Sequence, residues 1–140
     1  MRKMTLDDLP FVYEIELECF SDPWLYLEFL ESFNNNECLV FLDNGIIIGY
    51  FIGLPVLDEY NICNLAIKPS YQGKGYGKQF LSSIIFSHNS RYKKYFLEVR
   101  STNIPAIKLY KYFGFREIYT RKNYYQDPTE DAIVMALSTP

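Results

Sequence analysis

The run Asn64–His88, NLAIKPSYQGKGYGKQFLSSIIFSH, constrains this chain more than any other. Gly73, Gly75 and Gly77 stand at every second position between an apolar, strand-like segment and a helix-like one. Glycine reaches backbone conformations closed to other residues, and without a Cβ another molecule can come up against the main-chain N–H groups. Where such a loop opens a helix it makes an anion cradle, and Lys74 and Lys78 add positive charge. A flexible strand-to-helix turn explains the same residues, and spacing alone does not separate the two. Two nucleotide motifs do fail. The loop G-x-x-x-x-G-K-[ST] requires glycine where Gln72 stands and a hydroxyl where Gln79 stands. The fingerprint G-x-G-x-x-G needs its third glycine at another spacing.

Around this loop the chain alternates helices and strands. Thr5 followed by Asp8 is a capping-box start, and Leu9, Val12, Ile15 and Cys19 recur at helical spacing, predicting a helix over residues 6–20. A shorter helix follows Pro23-Trp24 and ends before Asn34-Asn35-Asn36. Strands are expected at 38–42 and 46–57, joined by the tight turn Asp43-Asn44-Gly45, with Gly49 and Gly53 as bulge points. A further strand at 60–67 leads through the glycine loop into a helix over 75–88, and a strand at 94–100 comes next. Asn103 begins a helix with Pro105 in its first turn and Gly114 as its stop. Two strands, 115–123 and 131–137, close the chain. Hairpins plus one strand–helix–strand crossover imply an α/β (α+β) domain over 1–140, a mixed, mostly antiparallel sheet with helices on both faces.

Length and composition narrow the function classes. The 140 residues are 49% apolar and 18% aromatic, enough for one domain with a sizeable core. A net charge of −3 offers no basic stripe for direct nucleic-acid binding. No apolar run approaches the roughly 20 residues of a membrane span, and the N-terminus MRKMTLDDLP lacks the apolar core of a secretion signal. Three cysteines, Cys19, Cys38 and Cys63, make no disulfide framework, so a cytoplasmic protein is expected. With a single histidine, His88, and no ligand spacing, no metal site is expected. His88 reads as an exposed helix-end residue and Cys63 as a core residue. Asp58 and Glu59 read as a solvated loop.

The string Gln72-Gly73-Lys74-Gly75-Tyr76-Gly77 resembles the [RQ]-x-x-G-x-[GA] loop of the GNAT N-acetyltransferase superfamily. Asn64-Leu65-Ala66-Ile67 before it resembles that family's fourth strand. Leu97-Glu98-Val99-Arg100-Ser101-Thr102-Asn103, Ala106-Ile107, Leu109-Tyr110 and Gly114-Phe115 resemble L-E-V-R-x-S-N-x-x-A-I-x-L-Y-x-x-x-G-F. Arg121-Lys122-Asn123-Tyr124-Tyr125 with Glu130-Asp131-Ala132 resembles R-x-N-Y-Y…E-D-A, and Met4–Leu9 and Pro23-Trp24 match two N-terminal blocks. These blocks together are similar to the RimI-type branch, bacterial N-terminal acetyltransferases of ribosomal proteins. Thr102 departs from the usual serine, and only four residues precede Thr5, leaving a stunted first strand.

The resemblance implies the GNAT fold and transfer of acetyl from acetyl-CoA to the N-terminal alanine of a ribosomal protein, through a tetrahedral intermediate. It makes Glu98 the general base and Tyr110 the general acid. A base of modest strength suffices, because an α-amine with a pKa of about 7.7–8.0 is partly neutral at pH 7. It assigns coenzyme binding to the backbone of Leu65, Ala66 and Ile67, to Gly73, Lys74, Gly75, Tyr76, Gly77 and Lys78 around the pyrophosphate, and to Asn103. Periodicity adds that Glu98 faces away from Leu97 and Val99, and that Tyr110 shares a helix face with Asn103. Asn103 is equally a plain helix cap. Tyr124, Tyr125 and Trp24 are expected around the acceptor peptide or in hydrophobic packing. RimI-type proteins also associate with tRNA-modification proteins, on which these residues are silent. Two alternatives stay open: a small amine or lysine as acceptor, or a non-catalytic acetyl-CoA-binding module.

Overall fold

The computed structural model describes residues 1–140. Its elements are β1 (Arg2–Lys3), α1 (Leu9–Cys19), α2 (Tyr26–Asn35), β2 (Glu37–Asp43), β3 (Ile46–Val56), β4 (Glu59–Ile67), α3 (Tyr76–Ser87), β5 (Lys94–Arg100), α4 (Ile104–Tyr112), β6 (Arg116–Tyr125) and β7 (Glu130–Ser138). Local chemistry explains most of the boundaries. Thr5 N donates to Asp8 Oδ2 at 2.8 Å, closing the capping box ahead of α1. Asn44 and Gly45 turn β2 into β3 with φ of 51° and 79°. Gly114, at φ 97°, stops the helix ahead of β6. Helix α2, expected to end before Asn34, takes in Asn34 and Asn35, because the cap falls on Asn36.

All seven strands join one sheet in the order β1-β2-β3-β4-β5-β7-β6, with a single parallel pair, β4 and β5, around the α3 crossover. Each face has its own core. Phe80, Leu81 and Ile84 of α3, with Ile107 and Tyr110 of α4, pack on Phe41, Phe51, Tyr60, Leu97 and Val99. Val12 and Ile15 of α1, with Phe29 of α2, pack on Val40, Tyr50, Ile52 and Ala66. Burial of a side chain such as Phe80 contributes roughly 1.5–3 kcal/mol against conformational entropy.

Strand β4 contains one residue too many for its partner. Ile52 faces Asn64 and Gly53 faces Ile62, so Cys63 is bulged out. The bulge reverses the alternation of side chains. Before it, Tyr60 and Ile62 sit in the α3/α4 core; after it, Ala66 sits in the α1/α2 core and Ile67 returns to the other. Cys63 is exposed, contrary to the expectation that it is core. The β4–β5 pairing stops at the same place: it runs from Glu59↔Lys94 to Ile62↔Leu97 and no further. Beyond that the strands part, while β5 remains paired to β7 as far as Arg100↔Ala132. Gly49 and Gly53 allow close approach here, since a Cβ on Gly49 would lie 2.9 Å from Ala66 O and one on Gly53 would fall inside the Tyr60 ring.

His88 is also corrected. It is 4% exposed at the end of α3, with Nδ1 2.7 Å from Tyr95 Oη and Nε2 2.8 Å from Glu37 Oε1. Tyr60 Oη donates to the same Glu37 oxygen at 2.5 Å. Hydrogen bonding to His88 holds the Glu37 carboxyl below its ordinary value. Partners on β2, β4 and β5 bury this residue, and a helical pattern does not reveal them. Asp58 lies 3.8 Å from Lys93, both exposed, as expected of a solvated loop. No helix is long and apolar enough to cross a membrane.

Candidate active site

Where β4 and β5 part, a cleft opens. Three connected spaces make it up. A chamber of about 160 Å³ in the middle touches Glu98, Tyr110, Asn103, Trp24 and Tyr125. One of about 280 Å³ extends from it past Leu65, Ile67, Gly73 and Gly77, sharing Asn103 and Tyr110 with the chamber. A groove of about 780 Å³ leaves on the other side between Trp24, Tyr124 and Ile118, sharing Glu98 and Tyr125 with the chamber. Glu98 therefore stands at one mouth of the chamber and Tyr110 at the other.

Secondary structure places each group. Leu97 and Val99 are buried in the α3/α4 core, so strand alternation turns Glu98 out of it into the cleft. Asn103 caps α4 by accepting from Ala106 N at 3.3 Å, and also lines the cleft on the same side as Tyr110 two turns on. The helix-cap reading of Asn103 is met, and its place on the cleft leaves it positioned for a bound ligand as well.

The open edge of β4 has a defined pattern. Lys68 N donates to Ile48 O at 2.7 Å, so alternation directs the main-chain groups of Ala66 toward β3 and those of Leu65 and Ile67 toward the cleft. The Ile67 carbonyl is already engaged by Gln72 Nε2 at 2.8 Å and by Cys19 Sγ at 3.4 Å. Leu65 N–H and C=O and Ile67 N–H remain available on this edge.

The glycine loop keeps its space. Gly73 and Gly75 have φ of 76° and 88°, and a Cβ at either would meet nothing within 4 Å. Their requirement is conformational, and the volume before them is open. Gln79 N is the first N–H to bond inside α3, to Gly75 O at 3.1 Å. The N–H groups of residues 76–78 precede it and have no carbonyl a turn back. The Tyr76 hydroxyl instead donates to Asp43, 3.4 Å away, so only its main chain serves the loop. The Lys78 ammonium lies 4.1 Å from the centre of the Tyr112 ring, and that of Lys74 lies 5.8 Å from Tyr71. The amides, the open edge and the lysines fit an elongated anionic ligand with amides of its own.

Electrostatics separates the two candidate catalytic groups. Burial, with Tyr125 nearby, pushes the Tyr110 phenol well up, so it stays protonated. Burial and then Glu98 push Tyr125 up to about 12. Glu98 is part-exposed, with Arg121 Nε 3.3 Å away, and its nearness raises the Tyr124 phenol.

Several residues escaped sequence reading. Glu16 is 1% exposed, and its carboxylate accepts from Tyr50 Oη, from Asn64 Nδ2 at 2.7 Å and from Trp24 N at 2.9 Å. It fastens the loop after α1 to the sheet beside the cleft. A carboxylate within the apolar stripe Val12, Ile15, Cys19 was the available signal. Arg121 and Arg100 lie inside the recognised blocks, but no local signal announces their contacts with Glu98 and Asp22. Glu130 accepts from Thr102 N at 2.7 Å and from the Thr102 hydroxyl, a bond that a serine hydroxyl there could also make.

Known proteins resemble this chain over most of its length. Residues 9–115 match the family model of the acetyltransferase (GNAT) family. The ribosomal protein bS18 alanine N-acetyltransferase of Haemophilus influenzae is 39% identical over 138 residues, covering 92% of this chain and 91% of its own. That of Escherichia coli is 38% identical, covering 93% and 90%. A crystal structure of the E. coli ribosomal-protein alanine N-acetyltransferase superposes with a TM-score of 0.90 at 36% identity, covering 97% of this chain and 90% of that one.

Proposed function

The chain belongs to the acetyltransferase (GNAT) family, and from that premise we propose that it acetylates the N-terminal alanine of a ribosomal protein of the bS18 kind. It is an N-acetyltransferase of a family that uses acetyl-CoA. The relatives' identity over nearly the whole chain supports the acceptor. The observation that carries the reading is the order of groups along the cleft: glycine loop, Tyr110, Glu98, open groove.

In this reading Gly73–Lys78 hold the pyrophosphate on bared main-chain amides. Leu65 and the Ile67 N–H pair with the pantetheine amides as an added strand would, and Asn103 borders the same passage. Acetyl-CoA supplies a thioester, which an unprotonated amine can attack. Glu98 takes the amine proton, directly or through water that reaches it from the groove. Tyr110, kept protonated by burial, donates to the sulfur that departs. Trp24, Tyr124 and Tyr125 wall the path of the acceptor peptide.

The test is a panel of short peptides varied in the first two residues, assayed for coenzyme A thiol release beside lysine and small amines. Acetylation of peptides beginning with alanine, confirmed by mass on the α-amine, is expected. A preference for a small amine or for a lysine side chain would overturn the acceptor, and coenzyme binding without turnover would overturn the enzyme reading.

A further inference from the structure

The structure assigns a positioning role to Arg100: we propose that this one guanidinium fastens both rims of the acceptor groove. The inference rests on the groove reading given above. Arg100 ends β5 and is 16% exposed. Its Nη2 donates to Gln126 O at 3.0 Å, and its Nη1 to Pro128 O at 3.2 Å and to Glu130 Oε1 at 3.2 Å. These bonds hold the turn between β6 and β7. On its other side Nη2 lies 3.7 Å from Asp22 Oδ2, in the loop between α1 and α2. Its plane also covers the Tyr125 ring at 4.4 Å. Tyr125 and Asp22 both touch the chamber and the groove. A second bond, Ser21 Oγ to Asp127 O at 2.9 Å, joins the same two segments directly.

The two rims come from segments about a hundred residues apart and meet on Arg100. Only a planar fork can satisfy two carbonyls and a carboxylate while stacking on a ring; an ammonium cannot. Freed from it, both rims must be ordered by the incoming peptide, which lowers peptide affinity. Arg100 lines the chamber beside Leu65, but its side chain bonds only to Gln126, Pro128, Glu130 and Asp22 and not to the glycine loop or the β4 edge, so coenzyme binding is expected to be largely spared.

The experiment compares Arg100→Gln, Arg100→Lys and Ser21→Ala with the wild type. It measures peptide KM and kcat, acetyl-CoA Kd by calorimetry, and hydrogen exchange of the free proteins. Arg100→Gln is expected to raise peptide KM about tenfold or more, with acetyl-CoA Kd within about twofold. Exchange should speed up at residues 20–25 and 126–130 but not at 73–78. Arg100→Lys should fail to restore KM, and Ser21→Ala should shift it the same way by less. An unchanged peptide KM, a parallel loss of acetyl-CoA affinity, or unchanged exchange at both rims overturns the proposal. A wild type inactive on every N-terminal peptide overturns the proposed function instead, and the exchange data then still judge Arg100.

Discussion

Replacing Glu98 with glutamine keeps the shape of the side chain and removes its basicity. The change leaves Arg121 without its partner at 3.3 Å, but both groups are part-exposed, at 43% and 31%. An ion pair so placed is worth about 0–1 kcal/mol, so the fold should survive. General base catalysis contributes about 10²–10⁴-fold, and a part-exposed base that water can partly replace belongs at the lower end. The expected loss in kcat/KM is therefore about 100-fold, or about 2.7 kcal/mol of barrier. The substrate limits how much of that loss pH can return. An α-amine of pKa about 7.8 is neutral in roughly one molecule in seven at pH 7, so raising the pH to 9 restores at most about sevenfold. Peptide acetylation followed by thiol release at both pH values, with acetyl-CoA Kd as control, separates the cases. A loss that vanishes by pH 9 would mean Glu98 only supplies neutral amine. Unchanged kcat/KM at both pH values would refute the assignment.

Tyr110→Phe should lower kcat about 10²-fold with acetyl-CoA Kd nearly unchanged; the wild-type rate should not fall between pH 8 and 9.5, because burial keeps this phenol protonated there. Gly75→Ala puts a Cβ at φ 88° in open space, so strain of about 1–2 kcal/mol is expected from denaturant melts, with weaker acetyl-CoA binding by calorimetry. Asp8 is held at about 2, first by its hydrogen bond from Arg2 and against burial. A depressed carboxylate stabilises the fold above pH 4 and loses that contribution as pH falls through 2. Arg2 is half-exposed and solvent screens the pair, so urea midpoints of Arg2→Ala should lie modestly below the wild type at pH 6 and converge with it near pH 2.

What sequence could reveal depended on the range of the signal. Turns, caps and periodic faces are local, and Asn44-Gly45, Thr5–Asp8 and the alternation around Glu98 were readable for that reason. The fourth-strand pattern located Leu65 and Ile67 but could not tell that Gln72 already engages one carbonyl. Cys63 was misread because free cysteines are usually buried, whereas the bulge that puts it outside shows only when β3 is laid beside β4. His88 was misread because its partners arrive from three strands. Arg100 and Arg121 lay inside recognised blocks, yet their contacts with Asp22 and Glu98 exist only in three dimensions. The Glu130 block, so useful for recognition, holds the loop before α4 through Thr102.

The supernumerary residue in β4 carries a cost that shows on subtraction. A chain shortened by Cys63 alone would have a more regular ladder with β3. Because Gly53 already faces Ile62 and Ile52 already faces Asn64, every later side chain would keep its present face, with the Asn64 amide still on Glu16. The same repair would favour continued pairing with β5 and zip the slot shut. Such a protein would be a tidier sheet without the opening between β4 and β5, so the irregularity bounds the cleft on which the proposed chemistry depends.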